Sequence, residues 1–355
     1  MADIKTPVEK PVTEASPASG EAYAPAPSKE KASPVARVLF ALLIFGLLVY
    51  PWLFTQPFQQ HIAILIFTFG LMAVAWNILG GYTGQVSLGN TMFFGIGGYT
   101  STVLLRDLLL SPWAGMAVGV LLSVLVAVMV GYPTFRLGGH YFAIATIAVA
   151  EIVHVIAVNS QYLGAAVGIS LPILPESWIN MQFHGTDKRP YYYIILALLA
   201  VAMFAVYRME HSKWGFYFRA IKEDPVGARA LGVNVQRYKL LAFVLSAVFT
   251  SMAGSFYAQY VLFIDPFSML YIQISITMCL MAVLGGVGTL WGPIIGAAVL
   301  IGISEGTRLS AGGTGQALDL LIYGFLVMAV AVYQPKGLMG LIHKLGRRGG
   351  KGARP

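Results

Sequence analysis

A chain of 355 residues with 57% hydrophobic and only 11% charged residues cannot cover a water-facing surface, since a soluble domain carries roughly a quarter charged residues. Its one cysteine, Cys279, excludes a disulfide framework and thiolate zinc sites, and its apolar setting reads as a small buried hydrophobe. The net charge of +8 reads as a topology signal against an anionic leaflet, with no nucleic acid called for.

Residues 1–35 are rich in Pro, Ala, Ser, Lys and Glu and predict a disordered cytoplasmic tail. No basic start, short apolar core and small-residue cleavage site marks a signal peptide there. Beyond the tail, no Asp, Glu, Lys or Arg falls between Arg37 and Arg106, between Asp107 and Arg136, or between Asp265 and Glu305. About 20 mostly apolar residues suffice to span a bilayer. Ten spans are predicted, at 36–55, 60–80, 88–105, 113–132, 139–159, 191–208, 239–261, 270–287, 291–308 and 317–334. The expected fold is all-α, a polytopic integral membrane helix bundle of about ten transmembrane helices. Eight spans plus two re-entrant segments is the alternative. With the N-terminus inside, nineteen of the 23 Lys and Arg fall on the cytoplasmic side, and an even count keeps both basic termini there. The membrane-spanning domain then covers 36–340, and 341–355 is a basic cytoplasmic tail.

Two Gly-rich breaks interrupt the apolar runs, Leu79 to Asn90 and Leu284 to Pro293. Glycine allows turns and close helix approach, and irregular backbone at membrane depth is tolerated only when buried in protein or lining a water-filled cavity. The breaks therefore read either as markers of a translocation path, with Gln85, Ser87 and Asn90 along it, or as plain cytoplasmic turns. Between them, Glu151 falls in mid-span with His154 one turn on, so the two share a helix face. An ionisable group at that depth reads as a path or proton site, or as a hydrogen-bond anchor between helices. An outer loop at 160–190 carries Pro172, Pro175 and Trp178, while Asp265, Glu305 and Asp319 lie near outer ends.

The inner loop, 209–238, is the most informative stretch. Asp224 suits a helix cap, Pro225 the first helical position and Gly232 the end, which predicts a short helix over about 225–231. Ser212 predicts the cap of a preceding helix that ends near Glu223. Trp214, Phe218 and Ile221 form one apolar stripe, and Ala228 and Leu231 another. Arg219 and Glu223, four apart, are placed to pair. Such a capped amphipathic element needs lipid headgroups or a cytosolic partner against its apolar face.

Arg219-Ala-Ile-Lys-Glu-Asp-Pro-Val-Gly-Ala-Arg-Ala-Leu-Gly232 resembles the coupling loop of ATP-binding-cassette importer permeases, in the version of the branched-chain amino acid permeases of the LivM type. Five further stretches are similar to that family: Gly81–Gly89, Phe94–Tyr99, Tyr141–Glu151, Leu284–Pro293 and Gln334–Leu338. Asn90 departs from it, where the family often has His. The resemblance implies that Arg219, Glu223, Asp224, Ala228, Arg229 and Gly232 form the coupling contact. It also implies two ABC ATPase subunits that use ATP and Mg, a second related permease subunit, an extracytoplasmic substrate-binding protein, and a place in the bacterial inner membrane. No cofactor is then expected on this chain. Branched-chain amino acids are the implied cargo, with urea or short amides as neighbouring possibilities.

No catalytic residue and no metal site is predicted. At the sole Gly-Lys pair, Gly350-Lys351, Leu345 and Gly352 break the phosphate-loop pattern. Gly302-Ile-Ser-Glu-Gly306 matches a hydrolase elbow in letters but lies in a predicted span, where no strand-turn-helix can form. The competing class is a proton-coupled secondary carrier using Glu151 and His154, which has no need of a capped docking helix.

Overall fold

In a hydrocarbon layer every backbone N–H and C=O must be satisfied within its own segment, and this chain meets that demand with helices. The structure, a computed structural model, describes residues 34–136, 139–183, 185, 187–310, 324–325, 328 and 337–340. The helices are α1 (Pro34–Leu53), α2 (Pro57–Gly80), α3 (Thr91–Leu108), α4 (Pro112–Thr134), α5 (Gly139–Asn159), α6 (Arg189–Glu210), α7 (Lys213–Glu223), α8 (Pro225–Ala230), α9 (Val235–Val261), α10 (Pro266–Leu270), α11 (Ile272–Gly285) and α12 (Gly292–Ser310). Proline sits in the first turn of α2, α4, α6, α8 and α10, where its missing N–H costs nothing. Nine of the ten predicted spans are thus helical. The tenth, 317–334, and both predicted tails lie essentially outside the described residues.

Among the described residues, six segments are long and apolar enough to cross a membrane by length and composition: α2, α4, α5, α6, α9 and the α10–α11 stretch Pro266–Gly285. That last stretch corrects the eighth predicted span, 270–287, because α11 alone has 14 residues, about 21 Å. Asp265 caps α10 in a capping box with Ser268, which starts a helix where a loop was expected.

The chain divides into two compact units, residues 1–50 and 51–355, and the following concerns the second. Its centre is α3 and α9 with α4 laid against both. Small residues set the approach: a Cβ on Gly254 would lie 1.9 Å from the Phe94 carbonyl oxygen, and one on Gly97 2.1 Å from that of Ser251. Ser255 Oγ donates to the Gly97 carbonyl at 2.9 Å, so the close pair is also hydrogen-bonded. Phe93, Phe135, Phe142 and Phe243 stack edge-to-face and face-to-face beside it and bring in α5. On the other flank α2 is seated among α9, α12, α6 and α11, with Ala73, Met281, Leu284, Ala297 and Leu300 fully buried together.

The two ends differ. At one, β1 (Ile169–Ser170) from the long loop pairs antiparallel with β2 (Phe263–Ile264) after α9. At the other, both Gly-rich breaks and the α7–α8 loop come together.

Candidate coupling site

The loop between α6 and α9 is built by its caps. Ser212 Oγ accepts the Trp214 N–H at 3.1 Å and opens α7. Asp224 Oδ1 accepts the Val226 N–H at 2.9 Å and, with Pro225, opens α8. Gly232, at φ +83°, ends it in the left-handed region, and Asn234 Oδ1 accepts the Arg237 N–H at 3.1 Å to start α9. The two short helices thus lie where the caps predict them.

Their side chains sort less simply. Phe218 and Ile221 are fully buried, and Ala228 joins Ile221 and Val235 in a small core that anchors α8. Leu231, expected beside Ala228, instead points outward at 85% exposure, and Val226 does so at 76%. α8 ends at Ala230, so Leu231 stands at the cap, beyond the helical turn that buries Ala228. Glu223, Asp224 and Arg229 are exposed around these two apolar tips.

Arg219 does not pair with Glu223: its Nη2 donates to Glu210 Oε1 at the end of α6. The turn at His211–Ser212 folds α7 back along α6, so the carboxylate nine residues earlier is nearer than the one four residues on. Glu210 also accepts from the Tyr82 hydroxyl of the first break, at 3.5 Å. Burial first, then the Glu210 carboxylate, push the Tyr82 phenol's pKa up, so it remains a donor. Beside this junction, Ile78, Met209, Ser212, Trp214, Leu245 and Phe249 line a cavity of about 410 Å³.

Asn77, which the sequence reading passed over, joins the two breaks. Its Nδ2 donates to the Thr289 carbonyl at 2.9 Å and its Oδ1 accepts the Gly288 N–H at 2.8 Å. Its own carbonyl accepts the N–H of Gly81 and of Tyr82. A Cβ on Gly81 would sit 1.9 Å from Asn77 Oδ1, so the first glycine after α2 makes room for the clasp. Lys222 of α7 lies over both breaks: Cβ atoms on Gly84 and Gly288 would be 3.3 Å from its Cγ and 3.2 Å from its Nζ. Both glycines also have positive φ, +70° and +77°. Gly337 returns to the same place, where its Cβ would meet Gly286 Cα at 2.6 Å. The signal for Asn77 was available: an amide inside an apolar run, three residues before the Gly80-Gly81 pair.

The predicted path residues do not form one cluster. Ser87 and Asn90 are fully buried, with Ser87 Oγ donating to Asn90 Oδ1 and Asn90 Nδ2 to Ser246 Oγ of α9, both at 2.8 Å. Those groups satisfy one another and tie the start of α3 to α9. Gln85 is half-buried in the first break. Glu151 lies elsewhere, on α5, with its side chain 53% exposed and its Oε1 3.3 Å from His154 Nδ1. Asp265 serves as a cap, while Glu305 is buried and accepts from Arg308 Nη1 at 2.8 Å. Asp319 is outside the described residues. Cys279 is half-buried in α11.

The family described as "Branched-chain amino acid transport system / permease component" matches residues 60–331. Among curated relatives, the high-affinity branched-chain amino acid transport system permease protein LivM of Escherichia coli (strain K12) is 26% identical over 85% of this chain and 74% of its own length. The LivH permease protein of Salmonella typhimurium is 26% identical over 77% of this chain and 91% of its own. A probable LivM of Methanocaldococcus jannaschii is 22% identical over 70% and 78%. The apolar helices, the close glycine packing and the capped loop are therefore those of a polytopic transport permease, and the chain belongs to the branched-chain amino acid transport system permease family.

Proposed function

We propose that this chain is one of two membrane subunits of an ATP-driven importer of branched-chain amino acids, and that α8 is where separate ATPase subunits push on it. Its place is the bacterial inner membrane with both termini cytoplasmic, and an extracytoplasmic binding protein delivers cargo from the other side. The observation that carries the reading is the build of the loop. Ala228 fixes α8 to α7 and α9, while Val226 and Leu231 stand out into solvent with Glu223, Asp224 and Arg229 beside them. Apolar tips on a short, rigidly capped helix fit a groove on another protein better than they fit water.

Force on α8 would travel by contact. The α7–α8 core carries Lys222 against Gly84 and Gly288, and Asn77 ties the second break to the end of α2. A shift of the loop would then move the ends of α2, α3, α11 and α12 together, opening the path toward one side and closing it toward the other. ATP and Mg act on the ATPase subunits, and this chain contributes shape and the gate. Selection of cargo rests with the binding protein.

The test is the double variant Val226→Asp/Leu231→Asp, both at exposed positions that the fold does not need. Folded yield should match wild type, co-purification of the ATPase subunits should fall at least tenfold, and ATP-driven uptake in proteoliposomes should be lost. Full uptake with both aspartates in place would remove α8 as the coupling element.

A further inference from the structure

The outward face of α5 has a feature that lipid cannot satisfy. Its buried positions, Phe142, Thr146, Ala150, His154 and Ala157, turn one stripe into the bundle. The opposite stripe, Ile144, Ala148, Glu151, Ile152, Val155 and Asn159, is exposed on the chain's own surface. Glu151 falls two residues from the midpoint of this 21-residue helix, which is about 31 Å long and matches the roughly 30 Å hydrocarbon core. A carboxylate there, half-exposed among Ile, Ala and Val, is costly against acyl chains, charged or protonated.

Among the described residues its partner is His154 Nδ1, 3.3 Å away. That ring is buried against Phe267 and Tyr271, and its Nε2 has no hydrogen-bond partner among the described residues. The imidazole thus faces inward while the carboxylate reaches out. Among the described residues, the other acidic groups in or beside the apolar helices have charged partners or caps: Asp107 pairs with Arg106 and Glu210 with Arg219, Asp265 caps α10, and the buried Glu305 accepts from Arg308.

We propose that this stripe of α5 is the seam with the second permease subunit, a chain related to this one, which brings a hydrogen-bond donor to Glu151 at mid-span. The inference rests on the reading of the chain as one of two permeases. The occupant follows from depth and chemistry. ATPase subunits and a binding protein are water-soluble and do not reach the bilayer centre. Acyl chains offer no donor. A membrane-embedded helix, apolar above and below and polar at one level, meets both demands. That LivM and LivH, two permease proteins named for the same kind of transport system, both match this chain is consistent with a related partner.

The test uses the full chain in membranes that hold the whole transporter. A photo-reactive benzoylphenylalanine is placed at Ile144 or Val155 on the stripe, and at Val201 or Phe204, exposed on α6, as controls. The stripe sites should give adducts with the second permease at least fivefold more strongly than the controls. A second measurement, Glu151→Leu, should lower recovery of the permease pair at least fivefold, whereas Ile152→Leu on the same face should retain it. If the stripe sites label only lipid, this chain or a second copy of it while the two permeases still co-purify, the seam is overturned and the proposed function stands. Undiminished pairing in Glu151→Leu overturns it as well. If no second permease co-purifies with the wild-type chain, both readings fall.

Discussion

Helices α2 and α5 have nearly the same mean hydropathy, yet 83% of the most apolar window of α2 is buried in the molecule against 28% for α5. Hydropathy therefore places a helix in the membrane and says little about what surrounds it. The difference lies in small and polar residues. α2 carries Gly70, where a Cβ would lie 3.8 Å from that of Ala297, and buried polar groups in Thr68 and Asn77 that bond within the protein. α5 turns only Thr146 and His154 of its polar residues into the bundle, while its outward side is mostly bulky apolar, with Ile144, Ile152, Val155 and Ile156 around the exposed Glu151. Without a hydrophobic driving force between helices, close packing and hydrogen bonds decide which faces meet protein.

The contrast can be broken from the centre outward. Gly254→Leu should have the largest effect, since its first added atom already lies within 2 Å of the Phe94 carbonyl, as the 1.9 Å contact shows. Monodisperse protein recovered in mild detergent should fall at least tenfold. Asn77→Ala comes next, because it leaves the Gly288 N–H and the Thr289 C=O without partners. A loss of about 2 kcal/mol is expected, because the cost of about 1–3 kcal/mol per orphaned group applies in full only to a buried one and both of these are part-buried, read as a lowered thermal midpoint by tryptophan fluorescence.

Thr146→Val tests the inward side of α5. Its hydroxyl accepts the Leu88 N–H at 3.3 Å and donates to the Ala143 carbonyl, and the loss should be about 1 kcal/mol. Ile156→Ala, on the outward side, should change the isolated chain by no more than about 0.5 kcal/mol. A midpoint shift as large as that of Asn77→Ala would show that this face is packed within the chain, and the contrast between the two helices would fail.

What was legible in the sequence was local. Charge-free runs located the spans, and Ser212, Asp224, Pro225 and Gly232 located α7 and α8, because a cap acts on backbone two or three residues away. What was not legible depends on the chain folding back on itself. Arg219 finds Glu210 through the turn at Ser212, Leu231 leaves its stripe because α8 ends at Ala230, and Asn77 bonds to residues more than two hundred positions on. The direction of Glu151 was open for the same reason: periodicity shows which residues share a face, while the neighbours decide which face turns inward. The five family-like stretches could be read, but not that three of them meet, with Gly288 against Gly81 and Gly337 against Gly286.

The central claim is that this chain moves solute only when driven through α8. Purified chain is reconstituted into proteoliposomes with its second permease, ATPase subunits and binding protein, and uptake of a labelled branched-chain amino acid is compared under ATP and under a proton gradient. Uptake that requires ATP and all the subunits, and is indifferent to the proton gradient, is the expected result. Uptake by the chain alone, driven by the gradient, would contradict the account.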